Sequence, residues 1–531
     1  MDLSRPVGRL LGVRRETVDP GGGGPARVPA GVTALVVGAG IAGMSAATVL
    51  AERGVRVTVL EAGRHLGGRL AAWPDTLTDG TGQAVEHGFH AFFRQYYNWR
   101  SILRRIDPRL RFLRPVPGYP VLSAAWPAEE FGRLPAAAPV NLLALLAGSP
   151  SLRLRDLRGM DRRAALPLLG YHPDRTYADL DRRTAAELLD SLRLPDRGRA
   201  MLFEVFAHSF FNHEADMSAA ELVANFHFYL LGNPEGLAFD APDRDYGTAI
   251  WRPLRAYLER LGGSVRTGRR AVAVEPAGRA ATVDPGGADA VARAAGDGPA
   301  EAGWRVVTAD GTVHTAHHLV LAVDPPALVA LLAGSPALAA AAPALAARIR
   351  TLTPGPPYAV ARLWLGGDVA PDRPVFSGVS RQATLDSVTL YHRLERQAAA
   401  WARRTGGAVV ELHAYACEPG LPATALADRM RAELAGLWPE VGRLPVVEAR
   451  ARVEARAPSF RPGAHPDRPA VDTGLPGLYL AGDGIRTDFP SALMERSAAT
   501  GILAANHILR HEGAAAEPIH SVRRHGLLAR R

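Results

Sequence analysis

An α/β fold of the dinucleotide-binding type, in at least two domains, is predicted by three observations. A β-forming run at 34–37 leads into Gly38-x-Gly40-x-x-Gly43 and an Ala-rich helical stretch. A second β-rich run at 55–60 closes on Glu61. Near the far end of the sequence, LPGLYLAGDG repeats the pattern of a strand running into glycines and an acid. In the first unit Gly38 suits a tight turn, Gly40 lets backbone amides approach a pyrophosphate, and Gly43 lets helix and strand pack closely. The following helix N-terminus offers free N–H groups and partial positive charge to phosphates. Glu61 stands 18 residues after Gly43, near the spacing of about 20 for a ribose-binding carboxylate. With 54 glycines in the chain a lone GxGxxG would mean little; strand, glycines, helix, strand and acid in register mean a nucleotide site.

The residues after Glu61, AGRHLGGRLAAW, place Gly67, Gly68 and Arg69 close behind the acid. This resembles the extended signature of the flavoprotein superfamily of amine oxidases, protoporphyrinogen oxidase and carotenoid desaturases. The segment GLYLAGDGIRTDFPSALMERSAATGILAANHIL, with Gly482 and Asp483, is similar to that superfamily's C-terminal FAD segment. The resemblance implies a two-domain, glutathione-reductase-type FAD-binding fold with a discontinuous α+β substrate domain. It also implies FAD as cofactor, held by Gly38, Gly40, Gly43, Glu61, Gly67, Gly68, Arg69, Gly482 and Asp483.

Composition bounds the function. The 531 residues hold enough chain for two domains. All 62 basic residues are arginine and none is lysine, for a net charge of +9. The arginines are dispersed rather than gathered into an arm, which argues against nucleic-acid binding and leaves attraction to anionic lipid headgroups open. Without lysine there is no Schiff-base chemistry, and no lysine-held water of the kind polyamine and monoamine oxidases keep near flavin N5. Cys417, the single cysteine, excludes intrachain disulfides and thiolate metal clusters and reads as a small buried hydrophobe. The histidines at 87, 90, 317 and 318 lack a partner set at ligand spacing, so no metal is expected. No 18-residue apolar run free of charge and proline occurs, so no transmembrane helix is expected. A cytoplasmic protein, peripheral on the inner face of the cell membrane, is the expectation.

Along the chain, 1–32 reads as a disordered leader and 33–106 as the first part of the FAD domain. Residues 107–245 read as the first part of a substrate domain and 246–324 as the second FAD part, with a low-complexity loop at 278–303. Residues 325–454 complete the substrate domain, 455–512 the FAD domain, and 513–531 form a tail. The apolar segment AAAPVNLLALLAGSPSLRL (136–154) reads as a buried helix or as a membrane-dipping entrance. The aromatics of 185–231 fit either core or the wall of an apolar ligand tunnel. Residues 304–323 read as a hairpin around Asp310-Gly311 followed by a buried strand.

The narrowest signal is VEHGFHAFFRQYYNWRSILRRIDP, residues 85–108. It resembles the segment carotenoid desaturases carry after the first FAD unit. With Arg94 and Tyr96-Tyr97 it is most similar to the carotene desaturase/methyltransferase family, which includes isorenieratene synthases and carotenoid φ-ring synthases. The likeness runs from about residue 34 to 509 and is reinforced by 226–254 and FPSALMERSAATG. It implies conversion of the β-ionone rings of β-carotene to trimethylphenyl rings, with one methyl migrating and four hydrogens lost per ring. Reduced FAD would then be reoxidised by a quinone or oxygen. Candidate bases are His87, His90 and Glu86, with Glu495 and Asp488 beside the C-terminal flavin helix. Phe93, Phe92, Tyr96 and Tyr97 are candidates for steadying a ring cation through their π faces. A structural reading competes: His90 satisfying backbone groups, and Glu86 paired with Arg69 or Arg94. Alternatives in function are a linear carotenoid desaturase or isomerase of the same fold, and a non-catalytic isoprenoid carrier.

Overall fold

The computed structural model describes residues 4–277 and 303–529; nearly all of the low-complexity stretch at 278–303 lies outside them. The first βαβ unit forms as its pattern requires: β1 (Thr33–Val37), α1 (Ile41–Glu52) and β2 (Arg56–Leu60). Three further strands join it much later in the chain: β3 (Ser264–Arg266), β4 (His318–Leu321) and β5 (Leu478–Leu480). Together they make a parallel sheet in the order β3-β2-β1-β4-β5. That order places a crevice at the carboxyl ends of β1 and β4, where the connections diverge to opposite sides. The long helix α2 (Leu493–His511) covers α1. A Cβ on Gly501 would lie 2.2 Å from Ala42 O, so the helices cross at a distance only glycine allows.

A three-stranded antiparallel sheet of Ala271–Ala277, Gly303–Thr308 and Val313–Ala316 includes the turn at Asp310-Gly311. The largest sheet has seven strands, ordered Val446–Glu454, Tyr358–Leu365, Ala408–Ala414, Ser387–Leu390, Phe376–Val379, Pro120–Leu122 and Glu129–Glu130. Its central strands are buried along their whole length, and Ala423–Leu437 covers one face over a separate apolar core. Its other face turns toward the nucleotide crevice.

Two expectations need correction. Residues 4–32 are not a disordered leader: they contain the helix Ser4–Leu10 and the strand Glu16–Asp19. That strand pairs antiparallel with Ile519–Ser521 of the supposed tail. The pairing joins segments some 500 residues apart, so no local pattern announces it. The apolar segment at 136–154 is not an ordinary buried helix either. In Val140–Gly148 the buried residue is Asn141, whose Nδ2 donates to Leu230 O at 2.7 Å, while Leu143 is 63% exposed.

Candidate active site

A cavity of about 980 Å³ opens at the carboxyl ends of β1 and β4 and continues against the seven-stranded sheet. Gly38, Gly40, Glu61, Gly67, Gly68, Arg69, Gly482 and Asp483 all line its first half. Gly43 does not; its Cβ would stand 1.9 Å from Gly38 O, so this glycine serves helix–strand contact. Gly40 is the opposite case. With φ −79° it needs no special backbone freedom, and a Cβ there would meet only Gly67 O, at 3.9 Å. Likewise a Cβ on Gly482 would meet only Val323 O, at 3.8 Å. Gly482, at φ 142°, is a glycine that its own backbone calls for; at Gly40 nothing in the protein does, and the open cradle leaves room for a ligand against its backbone.

The polar groups around this cradle suit a dinucleotide. Glu61 accepts from Ala39 N–H at 2.8 Å and Gly63 N–H at 2.7 Å, which fixes its carboxylate at the cavity edge. Neither α1 nor α2 has a side-chain cap; Glu495 N–H turns back to Ala492 O at 3.1 Å, and the N–H groups of the two first turns ahead of it suit a ligand. α2 begins on Leu493 at φ 47°, an unusual conformation for a branched residue, and Leu493, Met494 and Ser497 face the cavity. Arg69 bridges to Asp483 at 2.6 Å, tying the two sequence-distant parts of the cradle together. These residues fit FAD: the α1 N-terminus would hold its phosphates, Glu61 its ribose, and Gly67–Arg69 with the start of α2 its flavin.

Beyond the cradle the wall is aromatic. Phe93 packs edge-on to Tyr229 with centroids 4.9 Å apart, Tyr96 and Tyr229 share a 2.7 Å hydroxyl hydrogen bond, and Tyr119 meets Phe376 at 5.3 Å. The aromatics of 185–231 divide between both expected roles. Phe206, Phe210, Phe211 and Tyr229 face the cavity, and Phe203 and Phe228 lie in the core. Of the four rings considered for a cation, Phe93 and Tyr96 line the cavity. Phe92 is fully buried elsewhere, and Tyr97 donates its hydroxyl to Glu235 at 2.5 Å.

The candidate bases also divide. His87 and His90 line the cavity; Glu86, Glu495 and Asp488 do not. Glu86 is buried beneath it, accepting from Arg362 at 3.0 Å, Tyr391 OH at 2.8 Å and Tyr246 N–H at 3.0 Å. Its partner is therefore neither Arg69 nor Arg94. Glu495 accepts from Asn98 N–H at 2.9 Å and Trp99 N–H at 3.0 Å, capping the helix Tyr97–Arg104. Both acids are corrected from candidate bases to structural groups. His90 Nδ1 donates to Gly88 O at 2.9 Å, and burial pushes its pKa down to about 4. Burial, reinforced by Arg452, takes His87 to about 3.

Sequence reasoning missed His413, Tyr415 and Tyr358, which reach the cavity from the large sheet. A signal existed: Glu411 and His413 interrupt AVVELHA, an otherwise apolar strand. Cys417 is buried, its Sγ donating to Pro357 O at 3.1 Å. Among the described residues no cluster of three or more His, Cys, Asp or Glu is arranged to hold a metal ion.

Comparison with known proteins agrees with this geometry. The family described as flavin containing amine oxidoreductase matches residues 41–509. The chain belongs to that family. A carotenoid phi-ring synthase of Streptomyces griseus is 42% identical, across 97% of this chain and 95% of that protein. The corresponding protein of Chlorobaculum tepidum is 29% identical over 93% and 91%. The chain thus falls in the carotenoid phi-ring synthase branch of the family. Cyclohexylamine oxidase from Brevibacterium oxydans IH-35A shares the fold, with a TM-score of 0.63 at 15% identity over 90% of this chain and 99% of that one. The protein is an FAD-dependent oxidoreductase.

Proposed function

We propose that the protein oxidises the β-ionone rings of a carotenoid such as β-carotene to trimethylphenyl rings, with a 1,2-methyl shift, giving isorenieratene-type products. The observation that carries this reading is the character of the cavity beyond the FAD cradle. Its wall is aromatic, and burial holds His87 and His90 neutral, which suits a hydrocarbon. The near full-length likeness to carotenoid phi-ring synthases supports it.

Aromatisation requires loss of two hydrides and two protons per ring, and the gem-dimethyl carbon must give one methyl to its neighbour. Bound FAD supplies the hydride acceptor, regenerated by a quinone or oxygen. The protein's residues do the rest. The aromatic wall excludes water from the ring cation, and the faces of Phe93 and Tyr96 stabilise it by cation–π attraction of about 0.5–2 kcal/mol each.

The reading also places the protein on the membrane that contains so apolar a substrate, at the inner face of the cell membrane. No helix among the described residues is long and apolar enough to cross a bilayer. A surface contact is supported instead by the exposed leucines of Ser4–Leu10, Val140–Gly148 and Arg162–Leu169.

The deciding experiment is expression in cells that accumulate β-carotene, with mass and absorption spectra of the extracted pigment. Loss of four hydrogens per altered ring with every carbon retained is expected. Unchanged β-carotene in the presence of soluble, yellow protein overturns the reading and directs the test to phytoene and lycopene, the substrates of linear desaturases and isomerases.

A further inference from the structure

Strand Ala408–Ala414 is buried at all seven positions, yet it carries Glu411 and His413 two residues apart, on one face of the sheet. Buried polar groups in a sheet interior are costly unless partnered, and this pair is partnered in one direction. Glu411 Oε2 accepts from Arg362 Nε at 2.8 Å, and Oε1 accepts from Phe89 N–H at 2.6 Å. His413 Nε2 lies 2.8 Å from Oε1. Burial pushes the Glu411 carboxyl up, but Arg362 and His413 outweigh it and hold the group down at about 2, so it is ionised. An ionised carboxylate accepts only, so Nε2 carries the hydrogen of their bond and Nδ1 is the ring nitrogen left for proton exchange. With Nε2 donating to Oε1, Phe89 N–H, which donates to the same Oε1, only passes Nε2 at 3.4 Å without bonding to it. His413 itself lines the cavity.

The other cavity histidines are poorer acceptors. His87 Nδ1 is sealed without a hydrogen-bond partner and stands 3.6 Å from Glu454, with Arg452 and Arg456 opposing its charge. His90 has a backbone carbonyl where His413 has a carboxylate. Tyr358 and Tyr415 are pushed further from ionisation by burial. Of His87, His90 and His413, the last alone has a fully buried negative charge to meet the positive charge that proton uptake creates.

We propose that His413 is the proton acceptor of the reaction, with Glu411 as its positioning residue. The assignment rests on the aromatisation reading and deepens it. In each desaturation bound FAD would supply the hydride acceptor. The adjacent C–H bond then breaks, leaving its electron pair in the ring as a C=C bond and its proton on His413 Nδ1. The imidazolium is balanced by Glu411 and returns its proton to water before the next cycle.

The test uses the full chain in β-carotene-accumulating cells, as wild type, His413→Gln and His413→Phe. Gln keeps a donor for Glu411, so FAD absorbance equal to wild type is expected. Aromatic pigment should fall by at least about 100-fold, the lower end of what a positioned general base contributes. Glu411→Gln should also lose aromatic product, with partial recovery in Glu411→Asp. A second measurement is independent of turnover: diethyl pyrocarbonate treatment of the purified wild type, mapped by peptide mass. Modification of His413, and protection by β-carotene, are expected. Wild-type levels of aromatic pigment in flavin-loaded His413→Gln overturn the proposal. So does failure of His413 to react in the folded protein, which decides the matter where the variants do not fold. If the wild type makes no aromatic pigment, the functional reading itself has failed, and that result is visible before any variant is compared.

Discussion

One guanidinium cannot neutralise two carboxylates, and Arg362 faces both Glu86 and Glu411 in a fully buried setting. Glu411, also bonded to His413, keeps its charge. At Glu86 burial wins over the pull of Arg362 and raises the pKa to about 7. The consequence for stability has a definite sign. A folded-state pKa above the unfolded 4.5 means the native state binds the proton more tightly, so this group's stabilisation is complete below about pH 4.5. It is lost as pH rises toward 7. Glu86→Gln fixes the protonated shape. Its stability relative to wild type should therefore improve steadily from pH 5 to pH 7.5, measured by urea unfolding at each pH. A difference between the two proteins that does not change with pH would show that Glu86 is ionised throughout. None of this was legible from the acid's position after the Gly67–Arg69 segment, because its partner lies 276 residues away.

At the scale of elements, the first turn of α1 separates two glycines that look equivalent in the motif. Gly43 is packed against Gly38 O, whereas Gly40 faces the open cradle. Gly40→Val should leave the melting temperature of flavin-free protein unchanged and abolish the yellow colour. Gly43→Val should lose both fold and flavin. Thermal unfolding with absorbance near 450 nm distinguishes them, and retention of FAD by Gly40→Val would remove the pyrophosphate from this site. The motif's legibility came from local geometry: β1, α1, β2, Glu61 and the Gly482-Asp483 turn are all specified within a few dozen residues. The substrate half was less legible because its strands pair across long separations. Phe376–Val379, for example, lies parallel to Pro120–Leu122. Wide π-helical turns at Ala200–Glu204, His227–Leu231 and Gly247–Trp251 also break the 3.6-residue period. The first of these turns precedes Ser209–Phe211 and the second carries Tyr229, so the period fails where that part of the cavity wall begins.

Across the whole molecule, exposed Leu10, Leu143 and Leu166 lie on helices that meet around one part of the fold, while exposed Val272, Val313, Val446 and Val447 lie on the sheets. The helix Ser4–Leu10 sits against the start of Val140–Gly148, where a Cβ on Gly8 would stand 2.8 Å from Ala137 Cβ. Asn141 anchors that helix to Leu230, and Arg162–Leu169 packs on the same His227–Leu231 turn. Leu10, Leu143 and Leu166 are 87%, 63% and 52% exposed on these three helices. Around them Arg5, Arg9, Arg158, Arg162 and Arg163 are also exposed. Exposed leucines and arginines on the same and neighbouring helices suit a bilayer surface carrying anionic lipid, where each buried leucine and each arginine near the headgroups adds about 1 kcal/mol or more. Flotation with phosphatidylglycerol vesicles should recover the protein, and raised salt should weaken binding without abolishing it. Leu143→Asp with Leu166→Asp should cut vesicle-bound protein at least tenfold while FAD content stays constant, because both side chains point to solvent in the folded chain. Equal flotation of that double variant would mean the face does not meet lipid. Loss of aromatic product in cells by a variant that still holds flavin would show in addition that the ring reaches the cavity from the membrane.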